Sequence, residues 1–425
     1  MYLATKLIFC YTSTMFWKKK KEIITDEQRI DEVLSRGVDE VIEMEDLKKK
    51  MMSGKQLRIK LGIDPTSPNL HIGRSIPLLK LKDFQELGHQ IVFIVGDFTA
   101  VIGDTSDKDA ERPMLDNEQV KENMSKYKEQ ASKILDMNDT EFRYNSEWLQ
   151  KLNYHEIGEQ ANLFSIHQFI SRDNIRRRIE AGKRVSLREV LYPLMQGYDS
   201  IAIKADVEVG GTDQRFNLLA GRGMQPHYNQ APQNILTNPL VNGLDGRKMS
   251  SSWGNTVNIT DAPNDMYGKI MSMRDEEIVT YFITMTRLPL GEIKEIKKQL
   301  EGGVNPKVSK MHLAREIVTM YHGADSAEAA EKSWKSAFEK GGIPEDAKKV
   351  QVKMKIPLAD MLVKQGVVKS KSEFRRLVKQ GAIKFYAKTE ERKIIDPDSL
   401  VEESGAFKIG KKKFLKLIVK KEKSE

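Results

Sequence analysis

The chain is predicted to be an α/β protein: a doubly wound domain on a parallel sheet, then an α-helical stretch, then a small α+β module. Three observations carry this. Near the N-terminal side, "LRIKLGID", "SIPLLKLKDFQELG" and "QIVFIVGDFTAVIGD" follow one another as an alternating strand, a helix ending at Gly88 and a buried apolar strand, which is a βαβ unit. Residues 260–345 carry helical patterns such as "DEEIVTYFITMTRL" and "KMHLAREIVTMYHG", and no strand patterns. Residues 353–425 hold 20 Lys and Arg against 10 Asp and Glu, whereas the other 352 residues hold 50 against 51. The whole net charge of +9 therefore comes from a basic C-terminal module on a neutral body, and that placement points to a polyanionic partner. A solvated lysine face is the plainer account of "GKKKFLKLIVKKEKSE" taken by itself.

A length of 425 residues suggests two to four domains. The single cysteine, Cys10, rules out a disulfide framework and a cysteine-rich metal site, and the seven histidines show no paired ligand spacing. A reducing, cytoplasmic setting and no bound metal are expected. The apolar run "MYLATKLIFCYTSTMFW" precedes Lys18–Lys21. It is short for a membrane span, and its positive charge follows the run, where a secretory leader would carry it in front. Residues 1–25 read as a disordered or mis-called extension, with Met15 a candidate first residue.

Along the rest of the chain, residues 26–53 read as one amphipathic helix. A second apolar segment, "PQNILTNPLV", extends the doubly wound (Rossmann-like) domain to residue 258, with a helical insertion near 140–190. A helical domain is expected over 259–345, a linker over 346–353, and over 354–425 two short helices followed by strands.

Three segments concentrate chemistry. "LGIDPTSPNLHIGR", residues 61–74, packs two prolines, two glycines, an Asp and a His between a strand and a helix. In a doubly wound fold that is where ligands bind, beside helix N-termini. Gly73 lets a nucleotide approach the backbone, His71 can donate to phosphate oxygens, and Asp64 can meet a ribose or an amine. A lone His in a turn is more often a satisfied structural residue. The second segment, "GRKMSSSWGN", residues 246–255, is a glycine-flanked loop in which Lys248 and the serines suit a pyrophosphate leaving group. In the third, residues 190–217, Tyr192, Gln196 and Asp199 stand at i, i+4 and i+7 on one helical face. Such a stripe is commonly core packing, but Gln and Asp are poor core residues. A phenol, an amide and a carboxylate on one face suit a small-molecule pocket, with Asp199 accepting from a ligand hydroxyl.

The HIGH-like turn, the distant KMSKS-like loop and the doubly wound frame between them resemble the class I aminoacyl-tRNA synthetases. "VLYPLMQGYDSIAIKADVEVGGTDQRFN" with "GDFTAVIGD" is similar to the tyrosyl members, over roughly residues 25–420. The resemblance implies roles at the matching positions. Asp199 would bind the tyrosine phenol. Tyr192, Gln196 and Asp104 would bind its ammonium group, with Gln214 near the carboxylate. Asp64 and Asp213 would lie near the ribose of ATP, and Thr66, His71, Gly73, Arg74, Ser250 and Ser251 near its phosphates. His71, Thr66 and Lys248 would stabilise the transition state of carboxylate attack on the α-phosphate, a reaction that needs positioning and charge.

The resemblance also implies ATP with Mg²⁺ as substrate, no tightly bound cofactor, tyrosine and tRNA(Tyr) as partners, no membrane partner, and a homodimer using the apolar stretch "EQANLFSIHQFI". The C-terminal segment resembles a small RNA-binding domain shared with a ribosomal small-subunit protein, and would place Lys371, Arg375, Arg376 and Lys379 on one helical face toward RNA. Three positions depart from the family pattern: Arg74 replaces the last His of HIGH, Ser251 replaces the second Lys of KMSKS, and Lys60 replaces a tyrosine that shares the phenol contact in many members. The alternatives are the tryptophan enzyme, against which the Tyr192/Gln196/Asp199 face argues, and a non-catalytic RNA-binding paralogue, against which the retained Asp64, His71, Asp104, Gln196, Asp199 and Lys248 argue.

Overall fold

The computed structural model describes residues 22–106, 114–338, 347–387, 391–410 and 413–420. The expected N-terminal extension lies outside them up to residue 21. Its last residues are not loose: Ile24 N donates to the Leu87 carbonyl at 2.9 Å, which ties them to the end of a helix. The chain divides into two compact units, one running to Thr260 and including Val279–Leu290, the other made of Asp261–Ile278 and the residues from Gly291 onward.

The first unit is built on a six-stranded sheet. Its strands are β1 (Glu40–Ile42), β2 (Arg58–Ile63), β3 (Gln90–Val95), β4 (Thr140–Tyr144), β5 (Val207–Gly211) and β6 (Asn234–Asn238), in the order β1-β6-β5-β2-β3-β4. All neighbours are parallel except β1, which runs antiparallel to β6 at one edge. The chain winds from β2 out through β3 to β4, then returns to the other side of β2 for β5 and β6. The winding reverses between β2 and β5, and the crevice beyond the carboxyl ends of those two strands is where such sheets bind ligands. The run Ile91–Val95 in β3 is fully buried, as a strand covered on both faces must be.

Two sequence expectations are corrected here. Residues 26–53 are not one helix but two, Glu27–Ser35 and Met44–Met52. Gly37 in the left-handed region (φ 60°) ends the first, and Glu40–Ile42 pairs with β6 before the second begins. A helical apolar period continued across the break and hid it. The segment near 140–190 likewise opens with β4, a full member of the sheet, and becomes helical only from Ser146.

The long helix Leu187–Ile203 carries the polar stripe and packs on the helix Arg215–Met224. Their approach is close at Gly197, where a Cβ would stand 2.8 Å from Met224 Sδ and 3.1 Å from Gly221 N. The segment Val279–Leu290 packs into the same unit: Tyr281 Oη donates to the Asn242 carbonyl, and Arg36 Nη2 donates to the Thr286 and Leu288 carbonyls.

The second unit holds the helices Pro263–Met271, Leu290–Glu301, Pro306–His322 and Ala324–Phe338, the second of which begins at the last residue of the first unit. It also holds a five-stranded sheet of β7 (Lys348–Lys353), β8 (Ile383–Tyr386), β9 (Glu391–Lys393), β10 (Gly405–Ile409) and β11 (Lys413–Lys420), in the order β7-β11-β10-β8-β9. The expected linker at 346–353 is thus largely a strand: β7 pairs parallel with β11 over six residues. Its lysine-rich sequence, KKVQVK, masked the alternation. Leu358, Leu362, Phe374, Phe385, Phe407 and Leu415 form the core of this module.

Candidate active site

A cavity of about 390 Å³ opens at the carboxyl ends of β2 and β5. Its lining brings together Asp64, Thr66, His71, Gly73, Arg74, Asp104, Tyr192, Gln196, Asp199, Asp213, Gln214, Lys248, Ser250 and Ser251, from positions up to 187 residues apart in sequence. They include every position expected above to meet tyrosine or ATP.

The turn after β2 supplies the first group. Asp64 follows the strand's last residue and accepts from Thr99 Oγ1 at 2.7 Å and Tyr192 Oη at 2.9 Å. Gly96 is required there, because a Cβ would lie 2.1 Å from Asp64 Oδ1 and 2.3 Å from Thr99 Oγ1. His71 caps the helix Ile72–Glu86, its Nδ1 accepting from Arg74 N at 3.2 Å. That bond leaves Nε2 as the imidazole's donor. Burial, reinforced by the Arg74 and Lys248 charges, pushes the His71 pKa down to about 3, so the ring is neutral at ordinary pH. Gly73 keeps this corner open, since a Cβ would meet the His71 ring and Met249 Sδ at 3.1 Å. Arg74 donates to Thr66 Oγ1 at 2.7 Å and to Tyr127 Oη at 3.2 Å. Tyr127 Oη in turn donates to the Ser67 carbonyl at 2.9 Å. The cation at this motif departure is held in place.

The loop at 246–255 is internally braced. Asn255 Oδ1 accepts from Ser250 N at 2.9 Å, while its Nδ2 donates to Asp245 Oδ1 and to the Lys248 carbonyl. Lys248 Nζ lies 3.1 Å from Asp213 Oδ2. Asp104 accepts from Gln214 Nε2 at 2.7 Å and from Ser106 Oγ at 2.6 Å.

The polar stripe faces the cavity as its residue types suggested. Asp199 is 3% exposed and accepts from Trp148 Nε1 at 2.7 Å and Asn145 Nδ2 at 3.3 Å. Burial raises its pKa to about 7, against the opposing pull of Lys60, Trp148 and Asn145. Sequence reasoning missed Asn145, Trp148 and Thr99. Asn145 and Trp148 come from the segment taken as helical insertion and reach Asp199 because β4 lies beside β3, whereas Thr99 lies on the short helix Asp97–Ile102 after β3 and reaches Asp64 because β3 pairs with β2. Lys60, the third departure, does not line the cavity. It is fully buried and paired with Glu208.

In the second unit, Lys371, Arg375, Arg376 and Lys379 are exposed on the helix Lys371–Lys379, while Phe374 and Val378 turn into the core. Lys371 reaches Asp360 at 2.5 Å and Arg375 reaches Asp398 at 4.0 Å.

A family model described as "tRNA synthetases class I (W and Y)" matches residues 51–339. The chain is 44% identical over 396 residues to the Tyrosine--tRNA ligase of Dehalococcoides mccartyi (strain 195), covering 92% of this chain and 99% of that protein. It is 43% identical over 397 residues to the Tyrosine--tRNA ligase of Desulfotalea psychrophila, covering 91% and 97%. Among solved structures it is similar in fold to tyrosyl-tRNA synthetase complexed with L-tyrosine from Archaeoglobus fulgidus, with a TM-score of 0.59 and 22% identity over 72% of this chain and all of that one.

Proposed function

The chain belongs to the class I tRNA synthetases of the tryptophan and tyrosine type, and from that premise we propose that its cavity joins tyrosine to AMP and passes it to tRNA(Tyr). It is a tyrosine–tRNA ligase, an ATP-dependent enzyme. The tryptophan enzyme and the non-catalytic paralogue are not favoured.

The observation that carries the residue assignment is one cavity lined both by a buried acceptor, Asp199, and by two cations, Arg74 and Lys248. Tyrosine's phenol donates to Asp199. Its ammonium group is met by Gln196, Tyr192 and Asp104, and its carboxylate lies near Gln214. The ribose of ATP lies by Asp64 and Asp213, and the phosphates by Thr66, His71, Gly73, Arg74, Lys248, Ser250 and Ser251. In the first step a carboxylate oxygen of tyrosine attacks the α-phosphorus, the bond to the bridging oxygen breaks, and pyrophosphate leaves. Neutral His71 donates from Nε2, and Lys248 with Arg74 balances the charge that builds on the phosphates, which is the main catalytic effect open to a site without an acid or base in line. In the second step the terminal adenosine hydroxyl of the tRNA attacks the carbonyl carbon and AMP leaves.

Mg²⁺ arrives on the ATP phosphates; among the described residues no cluster of three acidic or histidine side chains offers it a resident site. The four basic side chains of the helix Lys371–Lys379 contact the RNA backbone. Two copies associate through the stretch 159–170, where Leu163 (37% exposed) and Ile166 (62%) face outward, and the enzyme works in the cytoplasm. No helix among the described residues is long and apolar enough to cross a membrane.

Pyrophosphate exchange into ATP, run with each of the twenty amino acids, tests the reading. Exchange with tyrosine alone is expected. Exchange driven by tryptophan, or none at all, overturns it.

A further inference from the structure

We propose that Lys60 and Glu208, a buried ion pair outside the cavity lining, are positioning residues that fix the Gln196 amide with its carbonyl oxygen, and not its amino group, available to the substrate's ammonium. The proposal rests on the reading above, in which Gln196 accepts from that ammonium.

Lys60 on β2 and Glu208 on β5 are register partners across the two strands that flank the crevice. Both are buried, at 0% and 1% exposure. Lys60 Nζ uses all three of its hydrogens: on Glu208 Oε1, on the Gln196 carbonyl and on Ser200 Oγ, each at 2.8 Å. Glu208 accepts from Gln196 Nε2 at 3.1 Å, Ser200 Oγ at 2.9 Å and Gln233 Nε2 at 2.6 Å. Lys60 Nζ, Ser200 Oγ and Gln233 Nε2 all donate to Glu208, whose carboxylate oxygens accept. Gln196 must therefore turn its amino group to Glu208. The end of the amide that remains is the acceptor Oε1, on a side chain that lines the cavity. Rotated by half a turn, the same amide would set its own N–H groups against an ammonium, and the site would select against the substrate.

Stability does not account for the pair. A buried ion pair is often matched or exceeded in stability by apolar residues of similar volume. What the charges supply is direction. Lys60 gives Glu208 a buried donor that does not depend on substrate, and its bonds to the Gln196 carbonyl and Ser200 Oγ pin one turn of the helix that carries Gln196 and Asp199.

The test uses the full chain and two variants. In Glu208→Gln the new side chain both donates and accepts, so the Gln196 amide loses its fixed sense. Lys60→Met/Glu208→Gln removes both charges, so folding is not burdened by an unpaired one. Pyrophosphate exchange gives kcat and the KM values for tyrosine and ATP. Competition with 3-(4-hydroxyphenyl)propanoate, which keeps the phenol and carboxylate but lacks the ammonium, gives its inhibition constant. The expected result is a rise of about ten- to a hundredfold in the KM for tyrosine, the range for loss of one hydrogen bond to a charged group. The KM for ATP and the inhibition constant of the analogue should be unchanged. Equal losses for tyrosine and the analogue, or an unchanged KM for tyrosine in a folded double variant, overturn the proposal. A wild type without tyrosine-dependent exchange overturns instead the functional reading on which it rests.

Discussion

Asp199→Ala is the substitution whose effect follows most directly from the geometry. The carboxylate is 3% exposed and accepts from Trp148 Nε1 and Asn145 Nδ2. It also lines the cavity, and on the proposed assignment the phenol of tyrosine is its third donor. A hydrogen bond to a charged acceptor contributes about 1.5–3 kcal/mol, and each 1.4 kcal/mol is about tenfold in a binding or rate constant. Removing the acceptor should therefore lower kcat/KM for tyrosine roughly ten- to 150-fold. Phenylalanine has no hydroxyl to lose a partner, so its kcat/KM should stay level or rise, and discrimination should fall by the same factor. The variant also leaves the Trp148 N–H without its acceptor, at a cost of about 1–3 kcal/mol in stability, so urea denaturation must accompany the kinetics. Asp199→Asn keeps an oxygen for Trp148 and separates the two effects. The assay is pyrophosphate exchange with both amino acids. An unchanged ratio in a folded variant refutes the reasoning.

Four further outcomes are expected. Burial raises the Asp199 pKa to about 7, so kcat/KM for tyrosine should fall with unit slope as pH drops through that value, and Asp199→Asn should remove the limb. By linkage, the stability that this raised pKa contributes is complete below the ordinary carboxyl range and is lost as pH rises through about 7, which thermal melts of wild type and Asp199→Asn across that range would detect. Lys248→Ala should slow adenylate formation about a hundredfold in single-turnover kinetics without changing the KM for tyrosine, whereas Ser251→Lys should leave it level or raise it slightly, because Arg74 already lines the site. Arg376→Ala should reduce the slope of log tRNA affinity against log salt by about one and leave tyrosine activation intact; an unchanged slope would remove Arg376 from the RNA contact. In Gly197→Ala the added Cβ would stand 2.8 Å from Met224 Sδ, and forcing the two helices apart should cost about 1–3 kcal/mol in urea denaturation.

Much of this protein was legible before any tertiary information. Strand and helix periods placed β2, the helix after it and β3, because those runs are buried on the faces their patterns mark. Motif residues were legible for a different reason. A turn as restricted as "DPTSPNLHIGR", or a Gln and an Asp on an otherwise apolar helical face, departs from what folding alone would select. Elements whose own patterns were ambiguous were not legible. The helical period of residues 26–53 ran across β1, and the lysines of β7 obscured its alternation, so pairing with β6 and β11 decided both. Tertiary structure alone decided who meets whom. Trp148 and Asn145 carry no signal that they will hold Asp199, since that contact exists only because β4 lies beside β3. Glu208 is an unremarked glutamate, and Lys60 a departure from the family pattern with no partner in sight, until β2 and β5 align in register and close them off from water. A sequence records the preferences of each residue for its neighbours along the chain. The charges, donors and acceptors of this site lie up to 187 residues apart, from Asp64 to Ser251, and the sheet order sets the distances between them.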